Sequence, residues 1–231
     1  MIEVSLITTC KGRFSHLIDT LDFMVAQQGE KHEVVVVDYG DPDGAWDYVT
    51  TKLLAKNVAA VKVMEDVDTF NLDRARNFGA KWAQGDILAF VDSDVFIYAE
   101  WLTEVVSAIR SGYDLVTRDG NKEGITGTFA VTRKAFDKVN GFDESLHGWG
   151  HDEIDFFRRC TKVGSRCTYS AKKVHAITHT DELRTAYYEE KDKKRSQFLN
   201  IATSRDVNRK VNPNGYAVGE AVYYRYPDTR T

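Results

Sequence analysis

Five consecutive apolar residues, 87–91, run without interruption into Asp92-Ser93-Asp94. A run of that length is too short for a buried helix and suits a strand covered on both faces, which implies a parallel sheet lying between helices. Two carboxylates placed two residues apart at the C-terminal end of such a strand can turn toward one point. That point is the crevice where open α/β sheets bind ligands. Hard oxygen donors of this kind suit Mg2+ or Mn2+ shared with substrate phosphates. Taken alone, an Asp-x-Asp is more often a solvated acidic turn.

The rest of the chain repeats the strand–helix alternation. Residues 3–9 read as a first strand, and Phe14, Leu17, Ile18, Leu21, Met24 and Val25 fall on one helix face. Val34 to Val37 are four β-branched residues in a row, a central strand ending at Asp38 in a turn-rich loop. A helix is predicted over residues 45–56, a short strand over 59–64 and a helix from 71 to about 84, with Gly85 as its C-cap. Alternation at this spacing predicts a parallel sheet with right-handed crossovers. Beyond Asp94 the pattern gives a helix over 101–110, strands over 113–117 and 124–131, a short helix over 134–139 and a strand-like stretch over 174–179. Residues 183–209 read as charged and mostly helical, and the tail from 212 as turn-like. Asp152, Glu153 and Asp155 fall in the first turn of another helix, where acidic residues complement the helix dipole. That leaves unexplained Trp149, which stands between Gly148 and Gly150 as an aromatic presented by a flexible loop.

Composition narrows the function. At 231 residues, 42% hydrophobic and 29% charged, the chain has the make-up of a soluble globular protein. Its net charge of −4 gives no general attraction to nucleic acid, and the basic run Lys191, Lys193, Lys194, Arg195 reads as a solvated helix face. No apolar run is long enough to cross a membrane, and no leader pattern follows Met1. Cys10, Cys160 and Cys167 lack metal-site spacing and suit a reducing, cytoplasmic compartment.

Six stretches in order resemble the GT-A nucleotide-sugar glycosyltransferases, family 2 in particular. They are Thr8-Thr9-Cys10-Lys11-Gly12-Arg13, Val36-Val37-Asp38-Tyr39-Gly40-Asp41, Ala75-Arg76-Asn77-Phe78-Gly79, the Gly85-to-Asp94 strand, Asn140-Gly141-Phe142-Asp143-Glu144 and Gly150-His151-Asp152-Glu153-Ile154-Asp155. The last two are of the kind shared with galactosyltransferases and chondroitin-polymerase-like enzymes. The resemblance covers residue 2 to about 179. It departs from the family pattern at Tyr39, where a second aspartate is usual, and at Asp152-Glu153, where the order is inverted.

The resemblance implies a GT-A fold: a Rossmann-like, mostly parallel α/β sheet with helices on both faces. Residues 1–180 would be the catalytic domain, with donor binding in 1–98 and acceptor binding in 99–180, followed by a helical and irregular extension over 181–231. It implies a metal-dependent transfer, with inversion, from a nucleoside-diphosphate sugar, UDP-linked by expectation, to a hydroxyl of a carbohydrate or other acceptor. Asp94 would be the direct ligand of Mn2+ or Mg2+, with Asp92 reaching the ribose or a metal-bound water and His179 or His175 completing the site. Thr8, Thr9, Arg13, Asp38, Arg74, Arg76, Asn77, Asp92 and Ser93 would hold the donor. Trp149 and Gly150 would meet the acceptor, and Glu153, with Asp152 as its rival, would be the base. The alternatives are a glycosyltransferase acting on a hydroxymethylated base in DNA, and a nucleotide-sugar- or glycan-binding module without catalysis.

Overall fold

A computed structural model describes residues 2–53, 57–120 and 124–226. Four parallel strands form the middle of the main sheet: β1 (Val4–Cys10), β2 (His32–Asp38), β3 (Val58–Val63) and β4 (Ile87–Phe90). β1 lies between β2 and β4, and β3 flanks β2. The all-apolar runs therefore sit where both faces are covered. Beyond β4 come β7 (Phe129–Thr132), β6 (Leu115–Arg118) and β8 (Arg166–Tyr169), with β7 antiparallel to its neighbours. A separate two-stranded ribbon pairs β5 (Val95–Ile97) with β9 (Val174–Ala176).

Alternation along the strands divides the core in two. Leu6, Val34, Val36 and Ala89 face α1 (Phe14–Val25) and α4 (Trp101–Arg110). Ile7, Val35, Val37 and Phe90 face α3 (Leu72–Trp82), α5 (Arg133–Lys138) and α6 (Asp152–Cys160). The second layer is aromatic. Phe142 stacks on Phe156 with ring centroids 4.2 Å apart, and Phe90 meets Phe129, Phe136 and Phe142. Each such ring contributes about 1.5–3 kcal/mol by burial, enough to fix α6 and the loop before it against the sheet.

Local chemistry sets the boundaries. Asn71 caps α3 by accepting the Arg74 N–H at 2.9 Å. Gly85 is not the C-cap of that helix, a position held by Ala83. Gly85 lies against β1, where a Cβ would meet backbone atoms at 2.7–2.8 Å, and its N–H donates to Ser5 Oγ. The helix predicted over 45–56 is α2 (Ala45–Asp47), continued by wider π-helical turns over Tyr48–Leu53; residues 54–56 lie outside the described residues.

The C-terminal segment supplies α7 (Asp181–Thr185), α8 (Lys193–Arg205) and β10 (Ala221–Arg225). The tail expected to be turn-like contains a strand, which pairs antiparallel with β3 and completes the order β10-β3-β2-β1-β4-β7-β6-β8. Residues 227–231 of the expected extension lie outside the described residues. Among the described residues, no helix is long and apolar enough to cross a membrane.

Candidate active site

The C-terminal ends of β1 and β4 open into a cleft of about 290 Å³. Its floor is built on Arg76, which α3 holds with its side chain 2% exposed. One guanidinium binds three carboxylates: Nη2 donates to Asp92 at 2.9 Å and to Glu153 at 3.0 Å, and Nη1 donates to Asp152 at 3.1 Å. Its Cζ lies 5.1 Å from the ring centroid of Phe142. Gly127 makes room for this cluster, because a Cβ there would stand 2.2 Å from Asp92 Oδ2 and 2.3 Å from Arg76 Nη2.

The negative charge in this cluster exceeds what one arginine neutralises, and burial adds to the cost of ionisation. Burial, then the charge of Asp152, push the Glu153 carboxyl up to about 7. Burial raises Asp92 to about 6, with the Asp94 charge adding to it and Arg76 opposing both. Asp73, one turn before Arg76, is fully buried with neither oxygen hydrogen-bonded. Desolvation there, together with the Asp152 charge, favours the protonated carboxyl.

Elsewhere in the cleft lining Asp94 Oδ2 lies 2.6 Å from His179 Nε2, and His179 stacks on His16 at 5.8 Å. Asp94 and Asp92 thus part company: one faces an imidazole, the other a guanidinium. His175 lies exposed on β9 beside Phe96, outside the cleft lining. Arg13 lines the cleft with its Nη1 buried and without a hydrogen-bond partner, beside the Asp94 charge.

The other donor candidates divide. Thr9 and Ser93 line the cleft; Thr8 is buried outside its lining. Asp38 is also outside, its two oxygens taking the N–H groups of Asp41 and Trp46 at 2.9 and 3.1 Å. Asp41 in turn accepts from Gly12 N–H at 2.6 Å, which ties the loops after β1 and β2 together. Arg74 points away, with Nη1 bonding the Glu65 carbonyl at 3.1 Å and Nη2 the Val218 carbonyl at 3.2 Å. Asn77 clamps the loop before α6, exchanging bonds with the Phe142 backbone at 2.9 and 3.0 Å and donating to Glu144 at 2.8 Å. Tyr39, at the departure from the family pattern, is buried against Phe70 and donates to the Asp66 carbonyl.

The loop carrying Trp149 is held from outside. The sequence suggests an exposed aromatic; the ring is half-buried, with Lys193 Nζ 4.3 Å from its centroid. The Trp149 N–H donates to Ser196 Oγ at 2.7 Å, Asn200 accepts from His147 N–H at 3.1 Å and donates to the Gly150 carbonyl at 2.8 Å. Ser204 Oγ lies 2.9 Å from His151 Nε2. Gly148, Gly150 and His151 all have positive φ, and for the histidine this is a strained conformation that surrounding bonds must hold.

Sequence reasoning missed Asp73, Phe70 and Tyr188, the last two stacked at 5.6 Å in the cleft wall. Asp73 carried a readable signal, an acid three residues before Arg76 inside a helix that packs on the sheet. The two aromatics carried none, because they come from loops far apart in the chain.

An open α/β sheet with charged side chains gathered beyond its strand ends is the arrangement in which such domains hold nucleotides. A family model described as glycosyl transferase family 2 matches residues 5–166, and the chain belongs to that family. Among curated relatives, glycosyltransferase AglE of Haloferax volcanii is 36% identical over 98 residues, covering 40% of this chain and 30% of its own length. Dolichol-phosphate mannosyltransferase of Pyrococcus furiosus is 33% identical over 90 residues, 39% of this chain and 25% of its own. The match thus spans less than a third of either relative. Among solved structures, S. aureus TarS 1-349 superposes with a TM-score of 0.64 at 17% identity, covering 89% of this chain and 73% of that one. The mannosyltransferase PcManGT from Pyrobaculum calidifontis, solved with GDP-Man and Mn2+, gives 0.61 at 18% identity, covering 73% and 55%. These two likenesses establish the GT-A-type fold.

Proposed function

We propose that the chain transfers a sugar from a nucleoside diphosphate, UDP by expectation, to an acceptor hydroxyl, with a divalent metal and with inversion. The observation that carries this reading is that one cleft gathers Asp94 with His179 and Arg13, and Glu153 and Asp152 held on Arg76.

Among the described residues no three His, Cys, Asp or Glu side chains converge as a metal cage. Mg2+ and Mn2+ do not require one, since they are commonly held by one or two protein ligands plus substrate phosphates. The Asp94 carboxylate and the His179 imidazole fit that pattern. A metal held there would neutralise charge on the departing diphosphate. The unpaired Arg13 Nη1 supports an anion in the same cleft.

Glu153 is our choice of base because its carboxyl is pushed up to about 7 while it stays held on Arg76. It would take the proton of the acceptor hydroxyl as that oxygen bonds to the anomeric carbon. The bond from that carbon to the diphosphate breaks on the far side, and the diphosphate leaves with its electron pair. Trp149, half-buried on the loop above Glu153, offers a flat apolar face to the acceptor.

The test is release of nucleoside diphosphate across a panel of nucleotide sugars, with Mn2+ and with chelator, for wild type and Asp94→Ala. Metal-dependent release from one donor, lowered about 100-fold or more by the substitution, is expected. Nucleotide binding without turnover on any donor, with acceptors supplied, would leave a binding module and remove Glu153 as the base.

A further inference from the structure

Helix α8 does not turn its large apolar residues to the core. Its buried residues are Ser196, Asn200 and Ser204, a polar stripe at i, i+4, i+8 turned to the protein. Its large apolar residues face solvent: Phe198 is 68% exposed and Leu199 48%, with Val207 just beyond the helix at 93%. A single exposed apolar residue is ordinary. A helix that packs its serines and exposes its phenylalanine has an apolar surface that the fold itself does not use.

The charges on the same face say what covers it. Lys194, Phe198, Ala202 and Arg205 recur along one exposed side, and exposed Lys210 follows. Lys194, Arg205 and Lys210 enter no ion pair among the described residues, whereas Arg195 is paired with Glu190 at 3.0 Å. Nearby acids are Asp192, occupied in capping the helix, Glu190, paired with Arg195, and exposed Glu189 and Asp206. This patch is positive on a chain whose net charge is −4. A second copy docked face to face would oppose Lys194 and Arg205 with like charge. A nucleic acid would pair with the cations and leave Leu199 and Val207 without a partner. An anionic lipid surface satisfies both sets, taking the apolar side chains below its headgroups and the cations at them.

We propose that the outer face of α8 docks this domain on an anionic membrane surface. The inner face of the same helix holds the loop of Trp149, so docking would bring that side of the cleft to the membrane. The proposal stands apart from the sugar-transfer reading, because lipid association requires neither donor nor metal.

The experiment is co-sedimentation of the purified chain with phosphatidylcholine vesicles, with and without phosphatidylglycerol. Binding only to the phosphatidylglycerol vesicles, weakened by added salt, is the expected result. Phe198→Ser with Leu199→Ser should abolish it at unchanged circular dichroism. Lys194→Ala and Arg205→Ala should each lower it about fivefold while leaving the apolar residues in place. No association of the wild type, or equal association of all variants, would overturn the proposal. So would a dimer in sedimentation velocity that Phe198→Ser dissolves, or duplex DNA binding in place of vesicle binding that Lys194→Ala weakens.

Discussion

Arg76 binds three carboxylates with one guanidinium, and its removal would leave Asp92, Asp152 and Glu153 close together without a cation. Breaking a buried ion pair from one side costs about 3–5 kcal/mol. Arg76→Met should lose that much in urea unfolding at pH 8, and less at pH 5, where the carboxyls can take up protons. Equal losses at both values would show that the cluster contributes no net charge strain. Glu153 gives the converse expectation. Its folded carboxyl titrates at about 7 against 4.5 for the free group, so the folded state binds more protons. Stability is then lost as pH rises from about 4.5 through 7, and Glu153→Gln should raise Tm at pH 8 but not at pH 4. If Glu153 is also the base, turnover of the wild type should rise through about pH 7, and the glutamine variant should be inactive at every pH. The identity of these residues was legible from motif order. Their arrangement was not, because Arg76 reads as one of the donor-holding residues and its role as the shared partner of three acids depends on the helix–sheet contact.

At the scale of elements, α8 shows why its packing could not be read from sequence. Periodicity assigns the apolar side of a helix to the core, and here Phe198 and Leu199 are outside while Ser196, Asn200 and Ser204 are inside. The buried stripe is chosen by unpaired backbone groups of the glycine loop, which need hydrogen-bond partners rather than apolar ones. Asn200→Ala removes two of those partners, and a loss of about 1–3 kcal/mol is expected in chemical denaturation. Hydrogen exchange at the His147 amide should quicken more than at amides of β1; uniform behaviour would mean that the loop holds itself. The trailing glycine of α3 was assigned by the same kind of habit. Gly85 follows a helix, which suggests a cap, but its place is set by the backbone of β1, which leaves no room for a Cβ.

At the scale of the whole molecule, a mostly parallel sheet with helices on both faces was legible because uninterrupted apolar runs leave a strand few places but the middle of a parallel sheet, whereas the order of the strands was not. The ribbon β5–β9, which brings His179 back to Asp94, joins residues some eighty positions apart, and no local pattern announces it. Strand β10 was hidden for a similar reason. Five residues behind a turn-rich stretch have too short a period to declare themselves, and their partner β3 lies far upstream. Its Arg225 also pairs with buried Glu33, so deleting residues 220–226 should both uncover the β3 edge and strand a carboxylate. Light scattering should show aggregation of that shortened chain at concentrations where the full chain stays monodisperse. The late arrival of β10 has a consequence for the newborn protein. On a ribosome adding about 5–20 residues each second, β3 waits roughly ten to thirty seconds for the strand that covers it. Through that interval the N-terminal half presents a bare strand edge to whatever else is being made nearby, which makes this edge the place where a chaperone would first be needed.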